Sequence, residues 1–375
     1  MVFSPPQGGF HCFGCVLAET RKLANDGQAL NAPSRASPNR GIPPLRRRIG
    51  AEPGQRKRRF PPAASDAGTL VAETKGLLRK YGLRARKSLG QNFLIDEEVL
   101  AQIVTAALLR PSDLVVEVGP GLGVLTKELA GRAGRVIAVE IDANAVCALR
   151  EILAGLSNVD VWQADVLEVD PAELVRAGGL GSELVRMEGI GSKTIKGFKV
   201  VANLPYYITS LVLRHFLEAT ARPECMVLML QKEVAERIVA KPGNMSLLSI
   251  SVQVYGQPQI IAYVPASSFF PAPKVDSALV RIDVFLQPVV PEKELVLFFE
   301  VVHAGFSQPR KQLHNAIAES MWLPPGGAAD LLRSAGVAPE RRAQTLSLAE
   351  WQEIARQLEN LRGRKPDEDS HQGTR

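Results

Sequence analysis

From about Leu70 onward, short apolar runs alternate with stretches whose apolar positions recur at helical spacing. Leu114–Val118 reads as a buried strand, and VLTKELAG after it as a helix ending at Gly131. Arg135–Asp142 predicts a second strand, with a helix to Gly155, and Val159–Asp165 a third. Phe198–Tyr207 predicts a fourth, with a helix through about Ala219, and Cys225–Leu230 a fifth, with QKEVAERIVA as the next helix. Strands alternating with helices imply an α/β fold built on an open, mainly parallel, doubly wound sheet. After about Val290 the period is helical throughout. ELVLFFEVVHAGF, KQLHNAIAESM, AADLLRSAG and LAEWQEIARQLENL predict a small α-helical domain of four helices. The expected organisation is a sheet domain over 70–288, a helical domain over 289–362 and a polar tail over 363–375. Arg176–Gly197 carries six glycines and interrupts the path to the fourth strand, so a surface loop is expected there.

Residues 1–68 break this pattern. They are rich in Pro, Gly, Ser and Arg, with Arg46–Arg48 and Arg56–Arg59 between Pro-rich stretches. Such a composition buries too little apolar surface to offset the entropy of ordering, so a disordered arm is expected. It is either an RNA-binding arm, an organelle-targeting peptide or a dispensable tail. Of the 375 residues, 45 are basic and 39 acidic, a net of +6, but 1–63 alone hold 11 basic against 3 acidic residues. The body is therefore close to neutral, and any nucleic-acid surface on it must be local. No apolar run is long enough to cross a membrane, so no membrane partner is expected. Four cysteines exclude a disulfide scaffold, and Cys12 and Cys15 are half of a zinc site at best, so no metal is expected. The cytoplasm is the expected compartment, with an organelle as the alternative if the arm is a transit peptide.

Chemistry concentrates where strands end. Glu117-Val-Gly-Pro-Gly-Leu-Gly123 lies on a strand-to-helix turn, and Gly119 and Gly121 allow a ligand close to the backbone. Glu140 ends the next strand, where a carboxylate can bridge two ribose hydroxyls. Asp165 ends the third, where it can accept an adenine amino group or simply cap the turn that follows. This half fits NAD or S-adenosylmethionine equally.

Asn203-Leu-Pro-Tyr206, after the fourth strand, narrows the choice. An adenine amine is a poor nucleophile because its lone pair is delocalised into the ring. The Asn203 side-chain oxygen and the Leu204 carbonyl can accept its two N–H groups and stabilise the positive charge that develops. Pro205 stiffens the turn, and Tyr206 can stack on the base through its ring face. In Ser268–Ser277, Phe269 precedes a Pro-x-Pro segment and can cover the other face of a flipped base, or be a core residue at a strand start.

Five blocks in order carry a family resemblance: Lys87–Leu94, Glu117–Gly121, Asn203–Tyr206, Phe269–Ser277 and Phe306–Lys311. The chain from about Leu77 to Leu361 resembles the small-subunit rRNA adenine N6,N6-dimethyltransferases, the KsgA/RsmA group. The resemblance implies a Rossmann-like S-adenosylmethionine-dependent methyltransferase sheet followed by a helical RNA-binding domain. It implies that Asn92 and Leu94 cover the methionine end of the cofactor, that Gly119 is the glycine-turn contact, and that Glu140 and Asp165 hold ribose and adenine. Asn203 then touches both cofactor and target amine. The implied substrate is two adjacent adenosines near the 3′ end of small-subunit rRNA in an immature subunit, modified by a monomer. RNA contacts are expected from Arg79, Lys80, Arg84, Arg86 and Lys87 before the sheet, and from Arg310, Lys311, Arg341 and Arg342 in the helical region. A non-catalytic binding protein on the same fold and a nicotinamide oxidoreductase are the competing classes. The first is disfavoured by the intact motifs, and the second leaves Asn203–Tyr206 without a purpose.

Overall fold

The computed structural model describes residues 69–86, 90–179 and 197–363. The basic arm over 1–68, Lys87, most of the glycine-rich segment and the tail from 364 lie outside the described residues. No helix among the described residues is long and apolar enough to cross a membrane.

Helix α1 spans Leu70–Lys80 and is capped by the Thr69 side chain on the Ala72 N–H. A two-residue strand β1 (Phe93–Leu94) leads to α2 (Glu97–Ala106), whose N-cap Asp96 accepts from the amides of Glu98 and Val99. Alternating elements follow: β2 (Leu114–Val118), α3 (Val124–Ala130), β3 (Arg135–Glu140), α4 (Ala143–Ile152), β4 (Val159–Gln163), α5 (Pro171–Ala177), β5 (Phe198–Asn203), α6 (Thr209–Leu217), β6 (Cys225–Gln231) and α7 (Lys232–Ile238). Then come α8 (Leu247–Gln253), β7 (Gly256–Val264), β8 (Phe269–Phe270) and β9 (Ser277–Val284). The chain closes with α9 (Leu295–Phe306), α10 (Leu313–Met321), α11 (Gly327–Ser334) and α12 (Leu348–Gly363).

The seven-stranded sheet has the order β4-β3-β2-β5-β6-β9-β7. The first five strands are mutually parallel, while β9 runs antiparallel to both β6 and β7. The expected five parallel strands are all present at the expected places. Strand β2 is buried at every position, as a central parallel strand with both faces covered must be. Its side chains alternate between two cores. Val116 and Val118 face one core with α6 and the C-terminal helices, and Val115 faces another with α2 and α3. Helices α9 to α12 bring Phe298, Leu331 and Trp351 into the same continuous core as the strands, so no separate hydrophobic centre holds them.

Two cations close the carboxyl end of α2, on the sheet edge away from the glycine turn. Lys199, nearly buried inside β5, donates to the carbonyls of Ala107 (3.1 Å) and Leu108 (2.7 Å) and pairs with Asp113 at 2.8 Å. The Arg281 guanidinium on β9 donates to the Ala106 carbonyl. Positive charge there meets the unpaired carbonyls and negative end of the helix. The element that follows β1 is thereby fixed to the sheet.

Candidate active site

Four turns meet at the carboxyl edge of the parallel strands, the usual ligand side of such sheets. After β2, Gly119, Gly121 and Gly123 have φ of +68°, +57° and +77°, left-handed values that favour glycine. A Cβ at Gly121 would stand 3.2 Å from the Phe93 ring, and one at Gly123 only 2.7 Å from Leu149. The turn is thus flattened between the amino-terminal cover and α4.

Glu140 ends β3 and is only 4% exposed. Its two oxygens accept the Gly121 N–H (3.3 Å) and the Asp142 N–H (2.9 Å). Burial pushes its pKa up against those two amide bonds, and Asp142 adds repulsion. A carboxylate held by two amides, with lone pairs to spare, has room for two more donors, which fits the vicinal hydroxyls of a ribose. Asp165 follows β4, and one oxygen accepts the Leu167 N–H at 3.0 Å, so the capping role is realised. The second oxygen has no hydrogen bond among the described residues, which leaves an acceptor for an exocyclic amine. The electronegative edge between Glu140 and Asp165 also reaches Tyr207: burial first, then these two carboxylates, raise its phenol pKa. Sequence reasoning passed over Tyr207, whose ring also packs where a Gly90 Cβ would lie 3.5 Å away. The doubled tyrosine was its only signal.

Asn203 ends β5. Its Nδ2 donates to the Asn92 carbonyl at 3.0 Å. The reversed amide would set two carbonyl oxygens against each other, so the side-chain oxygen is forced to the other side and kept free to accept. Asn92 in turn is held by a 3.0 Å bond from its own Nδ2 to the Gly90 carbonyl. Leu204 is buried and fixes the backbone between Asn203 and Pro205.

Several expected roles change. Phe269 is 3% exposed and belongs to the core with Leu94, Val264 and Leu279, so its ring offers no open stacking face. It is in register with Leu94 in the antiparallel β1–β8 pair, which turns both side chains inward. Leu94 therefore has only backbone to offer a ligand. The neighbour Phe270 is the exposed ring, with the Lys75 ammonium 5.4 Å from its centroid. The Tyr206 hydroxyl is also engaged, 2.7 Å from the Oγ of fully buried Ser277, where only the ring face was expected to matter. Tyr206→Phe should therefore lower the transfer rate by about 3- to 10-fold, because losing a hydrogen bond worth about 1 kcal/mol frees the ring and strands Ser277. A single-turnover rate equal to that of the unsubstituted protein would remove the hydroxyl from the site.

The basic residues divide. Arg86 pairs with the nearly buried Asp142 at 3.4 Å, and its backbone N–H donates to Gln91 at 3.0 Å. It thus lies beside the Glu140 turn, with about half of its side chain still exposed. Lys80 pairs with Glu151, Lys311 with Glu319 and Arg341 with Glu350. Arg84, Arg310 and Arg342 are exposed and make no ion pair among the described residues.

A family model for ribosomal RNA adenine dimethylases matches residues 82–360. The chain is similar to the ribosomal RNA small subunit methyltransferase A of Dehalococcoides mccartyi, with 46% identity over 291 residues, 78% of this chain and 94% of that protein. It is similar to the same-named protein of Moorella thermoacetica at 43% over 297 residues, 79% of this chain and all of that one. Among solved structures, a dimethyladenosine transferase from Plasmodium falciparum superposes with a TM-score of 0.58 at 25% identity, covering 72% of this chain and 98% of that one. The 23S rRNA methyltransferase ErmE gives 0.56 at 28%, covering 72% and 100%.

Proposed function

The chain belongs to the ribosomal RNA adenine dimethylase family, and we propose that it carries out that chemistry through the four turns at the carboxyl edge of its sheet. It is an S-adenosylmethionine-dependent methyltransferase that dimethylates adenine in small-subunit rRNA. The cofactor, when bound, supplies a methyl group made electrophilic by its sulfonium. The rest falls to the protein.

Glu140 accepts the ribose hydroxyls and Asp165 the cofactor's adenine amine, while the Gly119–Gly123 turn and the Asn92–Leu94 backbone enclose the methionine end. Asn203 and the Leu204 carbonyl accept the two N–H groups of the target amine. That draws the nitrogen out of conjugation and sets two negative dipoles where positive charge appears. No side-chain base is required, because the proton leaves only after the nitrogen has become cationic. Tyr206 supports one face of the extruded base, at an unstacking cost of a few kcal/mol. The observation that carries this reading is the 3.0 Å bond from Asn203 Nδ2 to the Asn92 carbonyl, which fixes the amide with its oxygen free.

The specific target we infer is a pair of adjacent adenosines near the 3′ end of small-subunit rRNA, within an immature subunit, modified by a monomer in the cytoplasm. Transfer of labelled methyl groups to unmethylated small subunits, followed by mass mapping of the nucleotides, tests it. Dimethyladenosine at two neighbouring positions is expected, and label confined to large-subunit RNA would overturn the reading.

The cofactor assignment has its own test. Glu140→Ala should weaken S-adenosylmethionine binding by about 1.5–3 kcal/mol, the range for hydrogen bonds to a charged group. Because the folded pKa of Glu140 is raised, the wild-type affinity should be full at high pH. It should fall on acidification at a higher pH than an ordinary carboxylate would dictate. Calorimetry across pH with the folded mutant, giving unchanged affinity, would dismiss Glu140 as the ribose ligand.

A further inference from the structure

Helix α10 ends on a tryptophan in an unusual setting. Trp322 has φ of +53° and ψ of +38°, the left-handed conformation that glycine normally supplies at a helix end. Its side chain is 92% exposed, the most exposed large hydrophobic among the described residues. Single exposed apolar residues are ordinary on protein surfaces. A bulky side chain in a left-handed turn is not, and such strained positions cluster where a ligand is met. Pro324 and Pro325 follow, so the stem of the turn is stiff as well.

The surroundings indicate the ligand. Ser320 Oγ lies 2.7 Å from Ser307 Oγ, and Glu319 pairs with Lys311 at 3.2 Å. These contacts bring the end of α10 against the turn after α9, where Arg310 is exposed and makes no ion pair among the described residues. At the other end of α10, the Leu313 N–H donates to Arg341 O (2.7 Å) and the His314 N–H to Pro339 O (3.2 Å). Those bonds place the exposed Arg342 beside the amino-terminal end of α10, a helix length from Trp322. An open indole at one end of α10, with Arg310 in the turn packed against that helix and Arg342 by its other end, both without an ion pair among the described residues, matches the chemistry of single-stranded nucleic acid, in which cations follow phosphates and aromatic rings take base faces.

We propose that Trp322 is a stacking platform for an unpaired nucleotide of the rRNA substrate, away from the methyl-transfer site, with Arg310 and Arg342 holding phosphates further along the same strand as it follows α10. The proposal rests on the rRNA reading above and adds a place where the RNA is gripped. An unpaired nucleotide is required because a base inside a duplex presents no free face to an indole.

The test uses the full chain and the exposed variants Trp322→Ala, Trp322→Phe and Arg310→Ala/Arg342→Ala. Single-turnover methylation is followed against the concentration of unmethylated small subunits and, separately, of protein-free rRNA fragments. Trp322→Ala should raise the half-maximal RNA concentration about 10-fold or more on both substrates, with the saturated rate unchanged. Trp322→Phe should restore most of the affinity, and the double Arg variant should flatten the salt dependence. Tryptophan fluorescence of the wild type should be quenched by an unstructured oligoribonucleotide, and that quench should be missing from Trp322→Phe. Unchanged concentration dependence for Trp322→Ala would overturn the proposal. So would an effect on whole subunits that is absent with protein-free rRNA, since the partner would then be a ribosomal protein. Wild-type protein that quenches with RNA but transfers no methyl group would sink the catalytic reading and leave this one standing.

Discussion

Asn203→Ala should cut methyl transfer by about 10²-fold or more, the scale for removing one preorganised electrostatic partner from a reacting centre. The substitution deletes the oxygen that receives the target amine, together with the Nδ2 bond that anchors the residue to Asn92. Its backbone stays in β5, paired with Met229 of β6, so the fold and RNA affinity should survive. The loss belongs in kcat, because the interaction strengthens only as charge develops. Asn203→Asp sharpens the test. A carboxylate keeps the acceptor oxygen but sets a second oxygen against the Asn92 carbonyl, so the side chain must rotate away. Asp should therefore rescue little, despite a negative charge suited to a cationic nitrogen. Single-turnover rates with saturating cofactor on unmethylated subunits decide it, and a near-normal rate for either variant would overturn the mechanism.

Glu117→Gln should make the protein more stable, and increasingly so as the pH rises from 5 to 8. Glu117 sits on central strand β2 and is 1% exposed. Burial lifts its pKa from 4.5 to about 8, and Glu140 adds repulsion, while the Thr126 hydroxyl beside it opposes the shift. Neither Glu117 Oε2 nor Thr126 Oγ1 has a hydrogen-bond partner among the described residues, and a protonated Glu117 could donate to the neighbouring Thr126. The folded value lies above the ordinary one, so the folded chain keeps a proton that the unfolded chain releases. Stability is therefore fully retained below about 4.5 and lost progressively up to about 8, at up to about 1.4 kcal/mol per pH unit. Glutamine is neutral throughout and escapes that loss. Unfolding free energies from urea titrations should coincide near pH 4.5 and diverge by on the order of 1–3 kcal/mol above pH 7. The raised pKa of Glu140 acts in both proteins and cancels from the difference. Parallel pH curves would show that Glu117 is ionised in the folded state.

The residues that chemistry needs were legible because their types are local. Three glycines, a strand-end acid and a four-residue turn can be read without knowing what faces them. What could not be read depends on partners far along the chain. Phe269 looked open because nothing in its own segment predicts that a strand at Phe93–Leu94 will turn it into the core. Tyr206 looked like a bare ring because its hydroxyl partner, Ser277, is 71 positions away. The ion pair of Arg86 with Asp142 is equally invisible from its own segment. Lys199 interrupts an apolar run with no visible purpose until the end of α2 is placed against it. Strands β7 and β9 went unread for another reason. Pro258 stands inside β7, a bulge falls between Ile260 and Ala262, and its outer face is half exposed, so neither an alternating nor an all-apolar pattern emerges. Both departures are tolerated because β7 lies at the edge of the sheet.

The amino-terminal cover is joined to the rest by contacts of great sequence separation. Asn92 meets Asn203 across 111 positions, and Asp96 accepts from Ser268 across 172. Closing loops of that length is slow in a folding chain, whereas the β2–β5 units can pair among near neighbours. During synthesis the cover is made first and must wait. Asn203 cannot receive its anchor until β5 has formed, and β1 has no partner until Phe269 and Phe270 emerge. The methyl-transfer pocket is therefore a late product of translation, complete only after most of the chain has left the ribosome. A nascent chain whose emerged part stops short of residue 268 should hold an unassembled pocket, so this enzyme gains its activity only once the last third of its chain is being made.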